Sequence, residues 1–315
     1  MSTLSYIHCI VTRFSFRFKP DDPTEKLLNK DRLDERLRLF KKYCWSSIIN
    51  QTGTNFYWVI IIDPLLPEHY ILELNNLIQS HKSSPEYNKR GPRNVWLHKW
   101  DWEIPTGFKL GEINWILDYF KTIPDPERDG ERIINTQWKS PRYLITTRLD
   151  DDDCLVNGFI NLVQKQFKAG GHVRGLRYLS FAVGYQHYVE QKALRMYRLP
   201  MIALGLTLIA EIEKYPICVY LGCHTHIPKY LKDPKKHSQM FKYYMRNKEY
   251  PNTLALARKM TAERLWVIKT GGPVWVRNVH DFNLQKNIGR SIGRGRGNNA
   301  ETVKKIMKSK FGVDI

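Results

Sequence analysis

The segment Phe56 to Ile62 (FYWVIII) restricts the fold more than any other stretch of the 315-residue chain. A strand with one face in water alternates apolar and polar residues. A run with no polar side chain must be covered on both faces, as an inner strand of a parallel sheet is. Two shorter β-rich stretches are of the same kind, Tyr6 to Val11 (YIHCIV) and Arg142 to Thr147 (RYLITT), and Val95 to His98 reads as a third, short strand. Between them the apolar period changes to that of a helix. Leu33, Leu37, Phe40, Cys44, Ile48 and Ile49 fall on one face of a helix over Asp31 to Asn50, and further helices are expected at Glu68 to Ser80, Gly111 to Thr122 and Leu155 to Ala169. Strands alternating with helices imply an α/β fold, a mostly parallel sheet with right-handed crossovers.

In such sheets ligands bind outside the carboxyl ends of the strands. Here those ends are polar: Thr12-Arg13 after the first strand, Asp63 after the second, and Arg148 to Asp153 after RYLITT. One crevice could collect all three. The second half reads differently. Gly175 to Val189 resembles a hairpin pivoting near Gly184, with short strands at Ile217 to Leu221, Trp266 to Ile268 and Val274 to Val276. Helices are expected at Tyr230 to Tyr250 and Thr253 to Leu265, and a Gly/Arg/Asn-rich tail (Gly289 to Asn299) leads to a basic helix. The expected division is 1–170 for an α/β half, 171–285 for a half that completes the fold, and 286–315 for a basic tail.

The acidic run Asp150-Asp151-Asp152-Asp153 carries the chemistry. Two carboxylates at a strand end offer hard oxygen ligands to a divalent cation. A cation there can bridge a diphosphate and neutralise the charge of a departing nucleoside diphosphate. Both Asp150/Asp152 and Asp151/Asp153 supply the D-x-D spacing. The bland alternative is a solvated acidic turn. An EF-hand loop is excluded, because the sixth residue from Asp150 is Leu155 and the twelfth is Asn161. Arg148 could pair with a phosphate or with a neighbouring aspartate.

A set of ordered motifs resembles a known family: H-C-x-V-T-R-F (His8 to Phe14), L-F-x-x-Y-C (Leu39 to Cys44), Gln51 with N-F-x-W-x-x-x-x-D (Asn55 to Asp63), and T-R-L-D-x-D-D (Thr147 to Asp153). These are similar to the rhamnosyltransferase-like proteins of bacteria and phages, which resemble GT-A glycosyltransferases. The resemblance spans about residues 6 to 160. It implies a nucleotide-sugar donor (UDP-, GDP- or dTDP-linked), Mn²⁺ or Mg²⁺, and a GT-A-like fold. Donor contacts would come from Thr12, Arg13, Asp63, Arg148, Asp150 and Asp151. Asp150, Asp152 and Asp153 would be catalytic, and Asp150, Asp152 and His280 would hold the metal.

Charge bears on the acceptor. Fifty Lys and Arg against 31 Asp and Glu leave +19, an excess that attracts polyanions. Lys229 to Tyr250 interleaves seven Lys/Arg with Tyr230, Phe241, Tyr243, Tyr244 and Tyr250, and Lys286 to Lys310 adds eight more. Basic residues neutralise phosphates and aromatics stack on bases. DNA, specifically a hydroxymethylated base reached by flipping, is therefore expected ahead of an envelope polysaccharide, and a solvated helix face with a basic tail is the plain reading. His224 and His226 are weighed as metal ligands and Glu190, Glu211 and Glu213 as general bases, with no spacing that selects one. Gly271-Gly272-Pro273 reads as a tight turn or a lid. Five cysteines without a C-x-x-C pair suggest a reducing cytoplasm, and no apolar stretch reaches the ~20 residues of a membrane span. Two rivals remain at this stage: a two-metal nuclease or nucleotidyltransferase, which also gathers aspartates at strand ends, and a basic nucleic-acid-binding protein without enzymatic activity.

Overall fold

The computed structural model describes residues 5–17, 23–87, 89–100, 114–121, 141–172, 175–198, 202–215, 217–220, 265–280 and 299–315. The expected helices over Tyr230 to Tyr250 and Thr253 to Leu265, and the Gly/Arg/Asn tail except Asn299, lie outside those residues.

The strands in chain order are β1 (Tyr6–Phe14), β2 (Tyr57–Ile62), β3 (Val95–Lys99), β4 (Tyr143–Asp150), β5 (Cys154–Leu155), β6 (Leu176–Phe181), β7 (Val183–Tyr188), β8 (Ala193–Arg198), β9 (Thr207–Glu211), β10 (Leu265–Ile268) and β11 (Trp275–Val279). Seven of them form one sheet in the order β10-β6-β9-β4-β1-β2-β3, and β5-β11-β7-β8 form a second. In the large sheet only β9 runs against its neighbours, β4 and β6. The FYWVIII run thus lies where its composition requires, in an inner strand with parallel partners on both sides. Its residues Trp58 to Ile62 are buried.

The helices are α1 (Thr24–Leu27), α2 (Lys30–Leu39), α3 (Ser46–Ile49), α4 (Glu68–Lys82), α5 (Asn114–Lys121), α6 (Phe159–Gln166) and α7 (Ala300–Phe311). α2 continues through a π-helical turn, Phe40–Trp45, into α3, so the expected Asp31 to Asn50 helix is found with a widened turn in its middle. Asn29 starts it, its side chain accepting from the Arg32 amide at 3.3 Å. One core lies on the face of the sheet carrying Ile10, Phe14, Trp58 and Ile60, beneath α2 and α4. A second lies on the other face, with Cys9, Val11, Val59, Ile61 and α5. A mostly parallel sheet flanked by helices is the α/β class that the alternation of strands and helices implies.

Three expectations change. Gly175 to Val189 is not one hairpin: β6 belongs to the large sheet and β7 to the small one. Gly184 is no turn residue, because a Cβ there would collide with the Trp275 indole, and it marks a close approach of side chain to backbone. The helix expected from Leu155 starts at Phe159, because Cys154–Leu155 pair with β11. Residues 217–220 form a turn instead of a ladder strand, and the Val219 amide donates to Thr146 Oγ1 at 2.9 Å.

Candidate functional site at the carboxyl ends of β1 and β4

Parallel pairing places Arg13 of β1 opposite Asp150 of β4 and opposite Ile61 of β2. The three polar strand ends therefore do come together at one sheet edge. Strand alternation then sorts their side chains. Arg13 lies on the face of Val11. Thr12 lies on the other, fully buried, where its Oγ1 accepts from the Trp58 indole N–H at 3.0 Å. Its side chain faces the core and not the edge expected for a donor contact.

At the edge, Arg13 Nη2 and Arg148 Nη2 lie 3.5 and 3.4 Å from the same oxygen, Asp150 Oδ1. Both guanidinium carbons lie over the Tyr220 ring, at 5.1 and 5.2 Å from its centroid. The Tyr220 hydroxyl donates to the Val11 carbonyl at 3.2 Å, which fixes the ring between the two arginines. Two cations thus converge on one carboxylate oxygen. Burial, and then the neighbouring Arg148, lower the Arg13 pKa. The Asp150 side chain keeps 33% of its surface open, against 2% and 6% for Asp151 and Asp152.

The next three aspartates turn inward. Arg36 of α2 binds both carboxylate oxygens of Asp151 and reaches Asp152 Oδ2 through Nη1 at 2.5 Å. The Ser15 amide also donates to Asp151, at 3.1 Å. His280 Nε2 lies 2.9 Å from the same Asp152 Oδ2. Asn278 of β11 closes the back: its amide donates to Asp153 Oδ1 at 3.0 Å, its side chain donates to the Asp152 carbonyl, and His187 Nδ1 lies 2.7 Å from its Oδ1. Burial raises the Asp152 carboxyl pKa, but Arg36 and His280 outweigh that and hold it below the ordinary value. Asp153 is pushed well above it, by burial first and then by Asp152 and Asp150.

Asp63 proves to be an anchor. It is fully buried and accepts from Arg17 Nε at 2.7 Å, Arg17 Nη2 at 3.0 Å, the Arg17 amide at 3.3 Å and the Leu65 amide at 3.0 Å. Both oxygens are taken up in tying the loop after β1 to the end of β2, which leaves them poorly placed for a nucleoside. Glu211 pairs with Arg142 at the start of β4, the opposite end from Asp150. Glu190 is exposed in the turn after β7. Residues 271–272 bend, with Thr270 Oγ1 donating to the Gly272 carbonyl at 2.6 Å. They line a cavity of about 650 Å³ together with Lys269, Lys310 and Asn157, and none of the aspartates reaches it. His224 and His226 lie outside the described residues.

The residues that the sequence reading did not single out are Arg17, Arg36, Tyr220 and Asn278. For Arg36 a signal existed: it falls three residues after Leu33 and beside Leu37, within the apolar stripe of α2, where a lone cation implies a buried anionic partner. The other three contacts join residues far apart in the chain and leave no local trace.

Fold and edge together define a class, an α/β protein with arginines and an aspartate gathered where β1 and β4 end. Residues 11–94 match the model of the family described as "Putative rhamnosyl transferase". The resemblance read from the motifs is thus borne out over a segment that holds Arg13, Arg36 and Asp63, and ends before the aspartate run. Among solved structures, mouse xyloside xylosyltransferase 1 in its apo form superposes with a TM-score of 0.37 at 10% identity, over 84% of this chain and 85% of that one. Mannose-6-phosphate isomerase from Helicobacter pylori gives 0.27 at 13% identity, over 76% and 80%. Overlap this slight fixes neither fold nor activity. No curated protein matches the chain in sequence.

Proposed function

We propose that the protein is a glycosyltransferase that moves a sugar from a nucleotide-sugar to a hydroxyl, and that the donor diphosphate lies at Arg13, Arg148 and Asp150. One observation carries this reading. Two guanidinium groups on side chains 11% exposed, both over one tyrosine ring, approach the same oxygen of Asp150 at 3.4 and 3.5 Å. That arrangement suits a dianion, since planar guanidinium groups bind phosphate oxygens in pairs and a low-dielectric edge strengthens each contact. The family match over residues 11–94 supports the transferase class.

The residues fit a divalent cation in chemistry. A carboxylate oxygen of Asp152 and an imidazole nitrogen of His280 are 2.9 Å apart, a separation two ligands of one ion can adopt, and Asp150 is the accessible carboxylate beside them. Among the described residues no three His, Cys, Asp or Glu side chains already converge as a metal-binding group. Asp150, Asp152 and His280 are the residues that would hold Mn²⁺ or Mg²⁺, and the ion would neutralise charge on the departing diphosphate. Arg13 and Arg148 orient that diphosphate in any case, and Asn278 keeps the peptide of Asp152 and Asp153 in place.

DNA is the favoured acceptor, with a hydroxymethylated base as the reacting hydroxyl. The described part of the basic region supports a polyanion. Lys304, Lys305, Lys308 and Lys310 are exposed on α7, whose opposite side, Val303, Met307 and Phe311, is buried. Among the described residues no helix is long and apolar enough to cross a membrane. The test is nucleoside diphosphate release with Mn²⁺ and a panel of UDP-, GDP- and dTDP-sugars, with and without DNA containing hydroxymethylcytosine. Release that DNA stimulates supports the full reading. Release that DNA never stimulates removes the DNA acceptor and leaves a glycan, and neither turnover nor binding of any donor removes the glycosyltransferase.

A further inference from the structure

Arg36 is a cation that the proposed chemistry does not use. It is 8% exposed, and α2 is held down on either side of it by Leu33 and Leu37 of the main core. Its guanidinium spans Asp151 and Asp152, and the oxygen of Asp152 that it binds at 2.5 Å is the one that His280 approaches at 2.9 Å. Three consecutive carboxylates are buried here, at 2%, 4% and 5% exposure. Clustered buried carboxylates need a compensating cation or, as at Asp153, a raised pKa. Arg32, one helical turn earlier, donates to the Leu27 carbonyl at 2.6 Å and feels the charge of Asp152 without bonding to it in the way Arg36 does.

We infer that Arg36 is the resident counter-cation of the aspartate run, keeping it folded before any ion arrives, and that a divalent cation settling between Asp152 and His280 competes with its guanidinium for Asp152 Oδ2. This rests on the proposed metal set but concerns a residue outside it. Arg36 is a positioning residue. Without its charge, Asp151 and Asp152 lose their guanidinium partner and the pocket gains affinity for a cation. A merely structural arginine would lower stability without changing ion affinity.

The test is Mn²⁺ binding, followed by the loss of the free-ion electron paramagnetic resonance signal, with melting temperatures taken with and without Mn²⁺. Wild type, Arg36→Gln, Arg36→Lys and His280→Gln are compared. Arg36→Gln is expected to melt lower than wild type in EDTA, to bind Mn²⁺ at least tenfold more tightly, and to gain more in melting temperature from the ion. Arg36→Lys, which keeps the charge without the fork, falls between them. His280→Gln loses the tight site. Equal or weaker Mn²⁺ affinity in a folded Arg36→Gln overturns the inference, as does unchanged binding in His280→Gln or absence of binding in every variant. If Arg36→Gln folds only with Mn²⁺ present, unfolding on EDTA addition supports it. If it never folds, unchanged affinity in Arg36→Lys overturns it. Donor turnover by the wild type is scored separately, so a glycosyltransferase without this competition is told apart from a protein that is no glycosyltransferase.

Discussion

The two ends of the aspartate run differ although the residues are identical. Asp150 is the last residue of β4, partly open, and held by two arginines through long contacts. Asp151 to Asp153 lie beyond the strand, buried, and their carboxylates meet a guanidinium, an imidazole and backbone amides that the fold holds in place. The chemistry of a carboxylate is thus assigned by its position. The loosely held one faces solvent and can exchange partners, and the tightly held ones shape the edge on which it stands.

Mutating the two ends is the strongest way to break that contrast. Asp152→Ala takes the shared carboxylate from His280 and leaves Arg36 with Asp151. It is expected to cost about 3 kcal/mol in urea denaturation, the low end of the scale for a broken buried pair. Asp150→Ala should cost under ~1 kcal/mol, as for a partly exposed ion pair. Its nucleoside diphosphate release should still fall about 100-fold or more, the scale for one lost electrostatic contact in a site. Equal stability losses at the two positions would erase the distinction.

Acid titration sharpens it, provided the interior is accounted for first. His8, buried and 3.0 Å from Thr147 Oγ1, is lowered to about 3 by burial. Between that value and the ordinary 6.5 the unfolded chain binds a proton that the native state refuses. Stability therefore falls on acidification, by about 1.4 kcal/mol per pH unit at most for one group. Urea unfolding of His8→Gln between pH 6.5 and 4 should show a slope shallower by up to about one proton than the wild type. An unchanged slope would mean that His8 is not held neutral. The smallest expected effects concern Tyr220. Tyr220→Phe loses the hydrogen bond to the Val11 carbonyl and the one between the hydroxyl and Arg13, about 1 kcal/mol each, and should leave donor affinity within about twofold. Tyr220→Leu removes the ring beneath both arginines and should weaken it about fivefold, in line with an exposed to partly buried cation–π contact. Isothermal titration with the nucleoside diphosphate separates the two.

Much of the sheet was legible because covered strands have a composition of their own. Tyr57–Ile62 is whole in the FYWVIII run, and RYLITT covers Tyr143 to Thr147 of a strand that runs on to Asp150. Their polar ends mark the edge where Arg13 meets Asp150. The faces of the strand ends were not legible from the polar pattern alone. Thr12 and Arg13 look equally suited to a ligand in the sequence, yet one step along a strand sends Thr12 to Trp58 and Arg13 to Asp150. Asp63 reads as an open acid because its partner, Arg17, comes 46 residues earlier. Gly184 looked like a turn because glycine commonly marks one, whereas its purpose here is to admit Trp275.

The separation in sequence between the aspartates and their supports also orders events in time. Asn278 and His280 meet the run across 125 to 128 positions. A chain made from its amino end presents four adjacent negative charges long before β11 exists to brace them, whereas Arg36 has already been made. The Arg36 contacts span almost as far, 115 and 116 positions, but both of their ends exist as soon as the run has been made. The guanidinium on α2 is thus the early partner that lets the run wait, and the pocket is finished when β11 docks.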